Sequence, residues 1–336
     1  MKVKPSRGSF IAASAATFAS ISIVRAPARA AQFNWKSGTN QVKDHPLSVA
    51  MSDMADAVKK ESNGRLEITV FPNNQLGGDT AMQTQLRSGA MQMMTLDGGI
   101  LASVVPAAAI QSIGFAFKDS ADAIAAFDGS LGAYVRSEIE AKGIHCFDNI
   151  WENGMRQITS STHPIRTAAD LANFKIRTPS AKMSLDLFHA LGASPTAINF
   201  AEVYTALQTH VVDGQENPYT NIYTAHLYEV QKYVSLSSHM WGGYWLITND
   251  DAWKALPADI QGIMTRNAAI AAKKQRAAVF ADNNRLLGEL KNKGMTSNEV
   301  DRPSLRAKLG DFYKAQKADL GDKAWALLEA HTGKLV

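Results

Sequence analysis

The chain carries one cysteine in 336 residues, Cys146, so no internal disulfide can brace it. The fold must rest on its apolar core instead. Cys146 lies in the apolar run GIHCFDNI and reads as a buried, inert thiol, because a reactive one needs an electropositive setting. Signatures of chemistry are missing too: there is no Walker loop, GxGxxG, GxSxG elbow or Cys-x-x-Cys pair. The eight histidines are scattered without HExxH or His-x-His spacing, so neither a metal nor a cofactor is expected. No apolar run reaches the length of about 20 residues that spans a bilayer.

What is present begins with a leader. Lys2, Lys4 and Arg7 precede an uncharged, mostly apolar stretch from Phe10 to Val24, and Ala28-Arg29-Ala30 offers the small residues a signal peptidase reads. Residues 1–30 are expected to be a cleaved secretory signal. Its loss changes the charge. The full chain is +4, from 35 basic and 31 acidic residues, and the leader holds five basic residues and no acid. Cleavage after Ala30 leaves 30 basic against 31 acidic, a net −1. No basic patch in that remainder points to nucleic acid. About 300 residues at 46% apolar composition can supply a core, and that length usually means two domains.

Strand-like and helix-like segments alternate. Gln32–Trp35, Leu66–Phe71 and Met91–Leu96 read as strands, with helices over Leu47–Lys60 and Ala81–Arg87 and a cap from Asp79 or Thr80. Further on, Ile144–Ile150, Met155–Ser160, a short piece ending near Arg177, Tyr233–Ser237 and Tyr244–Thr248 read as strands, and Ser180–Leu191 as a helix. Such alternation predicts an α/β fold with a mainly parallel sheet covered on both faces. From Pro257 to Lys293 no proline or strand signal intervenes, which predicts a helix of roughly 55 Å, with a break expected near Asp282-Asn283-Asn284 if anywhere.

The stretch from Lys175 to Pro218 is the most informative. KIRTPS places Arg177 where a strand ends. FAEVYTALQTHVVDGQENP then gives a short amphipathic helix with Val203, Tyr204 and Leu207 on one side. A Val211–Val212 pair, expected to be buried, leads into an amide-rich turn at Asn217. A fixed cation and an amide thus stand at the mouths of two strands, where open α/β sheets bind ligands. Arginine grips a carboxylate through two parallel hydrogen bonds.

KIRTPS and EVYTALQ…VDGQENP resemble the signature of the solute-binding proteins of tripartite ATP-independent periplasmic (TRAP) transporters, the DctP-like group, and the resemblance covers nearly all of the chain after the leader. It implies a two-lobe periplasmic-binding-protein fold, with mixed sheets flanked by helices and a long helix spanning both lobes. The lobes are expected at 31–153 plus 243–282 and at 154–242 plus 283–336, with the chain crossing near Trp151 and Trp241 and the ligand cleft between them. The resemblance also implies site residues. Arg177 would pair with a ligand carboxylate, Arg156 would aim at the same cleft, Asn217 would offer its amide, and Phe200 would lay its ring on the ligand. Asp79 and Asp97 would meet hydroxyls or amines, with helix capping an open alternative for Asp79. Ser180, Trp151, His239 and Trp241 are further candidates, the aromatic ones equally readable as core, and His45 is weaker still. Some relatives hold a metal through a tryptophan–glutamate pair. Here Gly242 follows Trp241, so no metal is expected.

The expectation is a periplasmic protein, monomeric and not an enzyme. It would capture a small organic acid by hinge closure and deliver it to the small and large membrane subunits of a TRAP permease driven by an ion gradient. A sensory binding protein that presents its ligand to a chemoreceptor or sensor kinase is the alternative on the same fold.

Overall fold

The computed structural model describes Met1 and residues 31–335. The expected leader, apart from Met1, lies outside the described residues. From Ala31 onward the chain forms one compact unit. Ten strands build it: β1 Phe33–Gly38, β2 Leu66–Phe71, β3 Met93–Asp97, β4 Ile144–Cys146, β5 Trp151–Ser160, β6 Lys175–Thr178, β7 Ser194–Ala197, β8 Gly214–Asn217, β9 Tyr233–Asn249 and β10 Thr296–Glu299. Their order is β2-β1-β3-β9-β5-β8-β6-β7, with β4 and β10 also paired to β9.

Two parallel groups, β2-β1-β3 and β8-β6-β7, therefore flank a shared antiparallel pair, β9 and β5. The expected strands Tyr233–Ser237 and Tyr244–Thr248 are one continuous 17-residue strand. Of the six residues between them, SHMWGG, all but Ser238 are buried, so they lack the alternation of a half-exposed strand. The sheet is consequently mixed rather than mainly parallel, since β9 runs antiparallel to β3, β4 and β5.

The long helix runs unbroken from Ala258 to Asn292, about 52 Å at 1.5 Å per residue. Ile260, Met264, Ala268 and Ala272 pack in one apolar cluster with Trp35, Leu47, Met51 and Leu246, and Leu290 packs in another with Val203, Leu207, Val212 and Ile222. The helix thus ties the two parallel groups together. Val211 departs from expectation: it is 60% exposed, and only Val212 reaches the core. The helix at Asp79 also begins earlier than expected. Gly78 holds its cap position with no capping side chain, and Asp79 is its first residue.

The pairing of β5 with β9 is irregular between Glu152 and Gly154, where Gly154 adopts φ +123°, a conformation other residues avoid. Gln275, buried on the long helix, hydrogen-bonds both polar groups of the Glu152 backbone beside it. Its Oε1 accepts from the Glu152 amide at 2.9 Å, and its Nε2 donates to the Glu152 carbonyl at 2.6 Å. The Glu152 side chain is buried beside it. Oε1 accepts from Ser120 Oγ and Trp241 Nε1 at 3.1 and 3.0 Å, while Oε2 has no partner.

Burial pushes the Glu152 carboxyl up to about 8, against about 4.3 in an unfolded chain. The folded state therefore holds this proton where the unfolded state has lost it. The resulting stability is full below about pH 4 and disappears as pH rises through about 8. Thermal unfolding of the ligand-free protein should show a melting temperature that falls between pH 6 and 8. In Glu152→Gln that slope should flatten, and an unchanged slope would assign the titration to another group.

Candidate functional site

Parallel strands direct their carboxyl ends toward one place from both sides of β9 and β5. β6 ends with Arg177 and Thr178, and β8 beside it ends with Asn217, opposite Gln157 of β5. The turn Phe200–Glu202 follows β7. From the other group come Asn40 and Gln41 after β1, Asp79 at its helix start and Asp97 at the end of β3. β5 contributes Asn153 and Arg156, and β9 contributes Tyr244. Asn40, Gln41, Asp79, Asp97, Asn153, Arg156, Arg177, Phe200, Asn217 and Tyr244, together with Ile100, Pro179 and Asn221, line a small cavity of about 20 Å³. Gly242 makes the β9 floor thin, since a Cβ there would lie 3.0 Å from Asn153 Nδ2.

The two arginines are buried alike and treated differently. Arg156 is paired with a carboxylate. Its Nε and Nη2 meet the two carboxylate oxygens of Glu216, and Nη2 also donates to the Glu216 carbonyl at 2.8 Å and to Asn217 Oδ1 at 3.3 Å. His239 Nε2 lies 3.2 Å from the same carboxylate, and its Nδ1 is 2.8 Å from Ser237 Oγ. Burial alone would raise the Glu216 carboxyl, but the charge of Arg156 and the hydrogen bonds from His239 and Arg156 outweigh it and hold it at about 2.

Arg177 is 2% exposed and has no carboxylate within ion-pair distance among the described residues. Its Nε donates to the Ile198 carbonyl at 2.8 Å, and its guanidinium carbon lies 5.8 Å from the centre of the Phe200 ring. Burial, helped by the neighbouring charge of Arg156 and opposed by Glu216, pushes it down to about 10, so it stays a cation at neutral pH.

The acidic side is equally uneven. Asp97 caps the short helix Gly98–Leu101, accepting from the Gly99 amide at 2.8 Å, and its other oxygen lies 3.4 Å from Gln111 Nε2. Asp79 Oδ2 accepts from Asn40 Nδ2 at 3.2 Å, and Oδ1 has no partner. Burial raises both carboxyls, Asp79 to about 6. Gln41 Nε2 donates to Tyr244 Oη. His45 caps its helix through Nδ1 and meets Asn221 Oδ1 through Nε2 at 3.1 Å, and burial pushes it down to about 4. It stands behind Asn221, which in turn donates to Asn217 Oδ1 at 3.2 Å.

Of the residues expected in the site, Arg177, Arg156, Asn217, Phe200, Asp79 and Asp97 line the cavity together. Four do not. Ser180 faces a neighbouring depression with Gly99, Ala102 and Met183. Trp241 is stacked on Phe127 at 5.4 Å and spends its N–H on Glu152, Trp151 is core, and His239 sits behind Glu216. These rings lie on strands buried on both faces, and their side chains fall on the core sides. The polar lining that sequence reasoning missed is Asn40, Gln41, Asn153, Asn221 and Tyr244. Only Asn221 carried a usable signal, four residues beyond Asn217 on the next helix. The described residues contain no cluster of three or more histidine, cysteine or acidic side chains placed to hold a metal, and no helix among them is long and apolar enough to cross a membrane.

The family model for bacterial extracellular solute-binding protein, family 7 (DctP), matches residues 37–319. The uncharacterized protein y4mM of Sinorhizobium fredii is 33% identical over 323 residues, 96% of this chain, which spans 59% of that protein's length. The 2,3-diketo-L-gulonate-binding periplasmic protein YiaO of Escherichia coli (strain K12) is 31% identical over 264 residues, covering 78% of this chain and 80% of that protein. Among solved structures, a TRAP periplasmic solute-binding protein from Polaromonas sp. JS666, bound to D-erythronate, superposes with a TM-score of 0.86 at 31% identity, covering 90% of this chain and 100% of that one.

Removing one partner of a buried ion pair strands the other charge, at a cost of about 3–5 kcal/mol. Glu216→Leu should lose stability on that scale in urea unfolding. Because the Glu216 carboxyl is held at about 2, its stabilisation is complete above the ordinary carboxylate range of about 4.3 and is lost as pH falls toward 2. Acid unfolding of the unsubstituted protein between pH 4 and 2 should carry this component, and Glu216→Leu should lack it.

Proposed function

The chain belongs to family 7 of the bacterial extracellular solute-binding proteins, the DctP family, and from that premise we propose that it captures a small organic acid whose carboxylate pairs with Arg177. One observation carries the reading: Arg177 is buried in a cavity wall as a cation, with no carboxylate within ion-pair distance among the described residues, Glu216 and Asp79 acting on it only from farther away. An unpaired buried charge costs several kcal/mol, and a ligand carboxylate would relieve it through two parallel, charge-assisted hydrogen bonds. Arg156, paired with Glu216, lines the same cavity, and Phe200 gives the ligand an apolar face.

The wider reading follows from this family. After loss of residues 1–30 the protein works in the periplasm as a monomer. The lobes 31–153 plus 243–282 and 154–242 plus 283–336 close on the acid by a hinge through β5 and β9. The closed form hands the acid to the small and large subunits of a TRAP permease driven by an ion gradient. The protein binds and releases its ligand unchanged. No observation favours the sensory alternative.

A thermal-shift screen of the protein from Ala31 onward, against organic acids and neutral sugars, tests this. An acid at 100 times its Kd adds about 2.7 kcal/mol to the native state, a rise of several degrees. Arg177→Met should abolish that rise while its ligand-free melting temperature stays equal or climbs, because a stranded charge has been removed. A melting temperature raised only by neutral sugars would overturn the reading.

A further inference from the structure

We propose that Gly78 and Asn199 form the contact at which the two parallel groups meet over the bound acid. Asn199 is then a positioning residue, which sets how long the acid is held without touching it. This rests on the reading that the groups close by a hinge on an acid paired with Arg177.

Gly78 stands just before the helix Asp79–Arg87, on the side of β2-β1-β3, and Asn199 follows β7 on the other side. A Cβ at position 78 would lie 2.9 Å from Asn199 Oδ1 and 3.0 Å from its Cγ. That is nearer than carbon packs against another heavy atom. The asparagine therefore occupies the space a side chain at 78 would need. Nothing else asks for glycine there. Its φ of −65° and ψ of 169° lie in the extended region open to every residue. As a helix start glycine is outranked by asparagine, aspartate and serine, and it leaves this helix without a capping side chain. Asn199 Oδ1 is buried without a hydrogen-bond partner, and the side chain does not cap the turn Phe200–Glu202 that follows. Packing holds that oxygen where it is.

Neither residue lines the cavity, but each immediately precedes one that does: Asp79 after Gly78, and Phe200 after Asn199. The contact thus sits at the edge of the cavity, one residue from its wall on either side. It joins segments from separate halves of the sheet, so it must break when those halves part. A second close approach has the same form. A Cβ at Gly99 would lie 3.2 Å from the Ala181 Cβ, and Gly99 precedes Ile100, which lines the cavity. An acid enters while the rim is open, so its association does not depend on the contact, whereas its escape does.

Stopped-flow binding of D-erythronate, galactonate, glucuronate and succinate to the protein from Ala31 onward tests this. Gly78→Asn is the wedge. Asparagine starts a helix better than glycine, so its ligand-free melting temperature should hold or rise, which separates a wedge from a folding defect. For the acids that bind the unsubstituted protein, Gly78→Asn should raise the dissociation rate about tenfold or more, as overpacking does, and leave the association rate unchanged. Combining Gly78→Asn with Asn199→Gly exchanges the two residues across the rim and should recover most of the loss. A dissociation rate unchanged in Gly78→Asn, or raised there and not slowed by the exchange, overturns the proposal and leaves the Arg177 reading standing. Asn199→Ala decides the matter if Gly78→Asn does not fold: release should quicken about twofold or more, and an unchanged rate overturns the proposal. If no acid binds the unsubstituted protein, the Arg177 reading falls and the proposal falls with it.

Discussion

A guanidinium taken out of water must meet an anion or remain a cost to the fold. This protein buries two of them in one small cavity and gives a carboxylate to only one. Glu216 neutralises Arg156 so fully that the pair, with His239 behind it, is part of the wall. Arg177 is held by a backbone carbonyl and an aromatic ring, neither of which cancels its charge. The cavity is thus set against its own arginine. The same logic explains why two neighbouring arginines need not be two carboxylate ligands: the deciding quantity is which one the protein has already satisfied.

The geometry that holds this arrangement comes from β9 and the long helix. β9 runs 17 residues through the middle of the sheet, so strands from both parallel groups end against one continuous ladder. Gly242 removes the side chain that would otherwise fill the space beside Asn153. At the β5 irregularity the Glu152 backbone, opposite Gly243 on β9, is hydrogen-bonded through its N–H and its carbonyl by Gln275 from the long helix. The support of the site therefore includes a residue more than 100 positions away in sequence.

Local features of the chain were readable where chemistry repeats locally. The long helix, most of the short strands and helices, and the strand-end positions of Arg177 and Asn217 follow from periodicity, proline and glycine placement and the KIRTPS and QENP strings. The central part of β9 was not readable as strand, because HMWGG is buried throughout and shows no alternation. Val211 was misjudged for a related reason: two adjacent valines look alike in sequence, yet only Val212 turns toward the core.

By itself the sequence determined the α/β class, the long helix, the family and the cluster of charged and amide groups at the strand ends, all properties of short windows or of a recognisable string. Tertiary structure decided which of those groups are free. That Glu216 takes Arg156 and leaves Arg177, that Asp97 is occupied by capping while Asp79 keeps an open oxygen, and that Trp151, Trp241 and His239 turn into the core are outcomes of long-range pairing. A hydrogen bond between residues 60 or 200 positions apart depends on how the sheet is ordered, and a residue's type carries no record of which partner reaches it first.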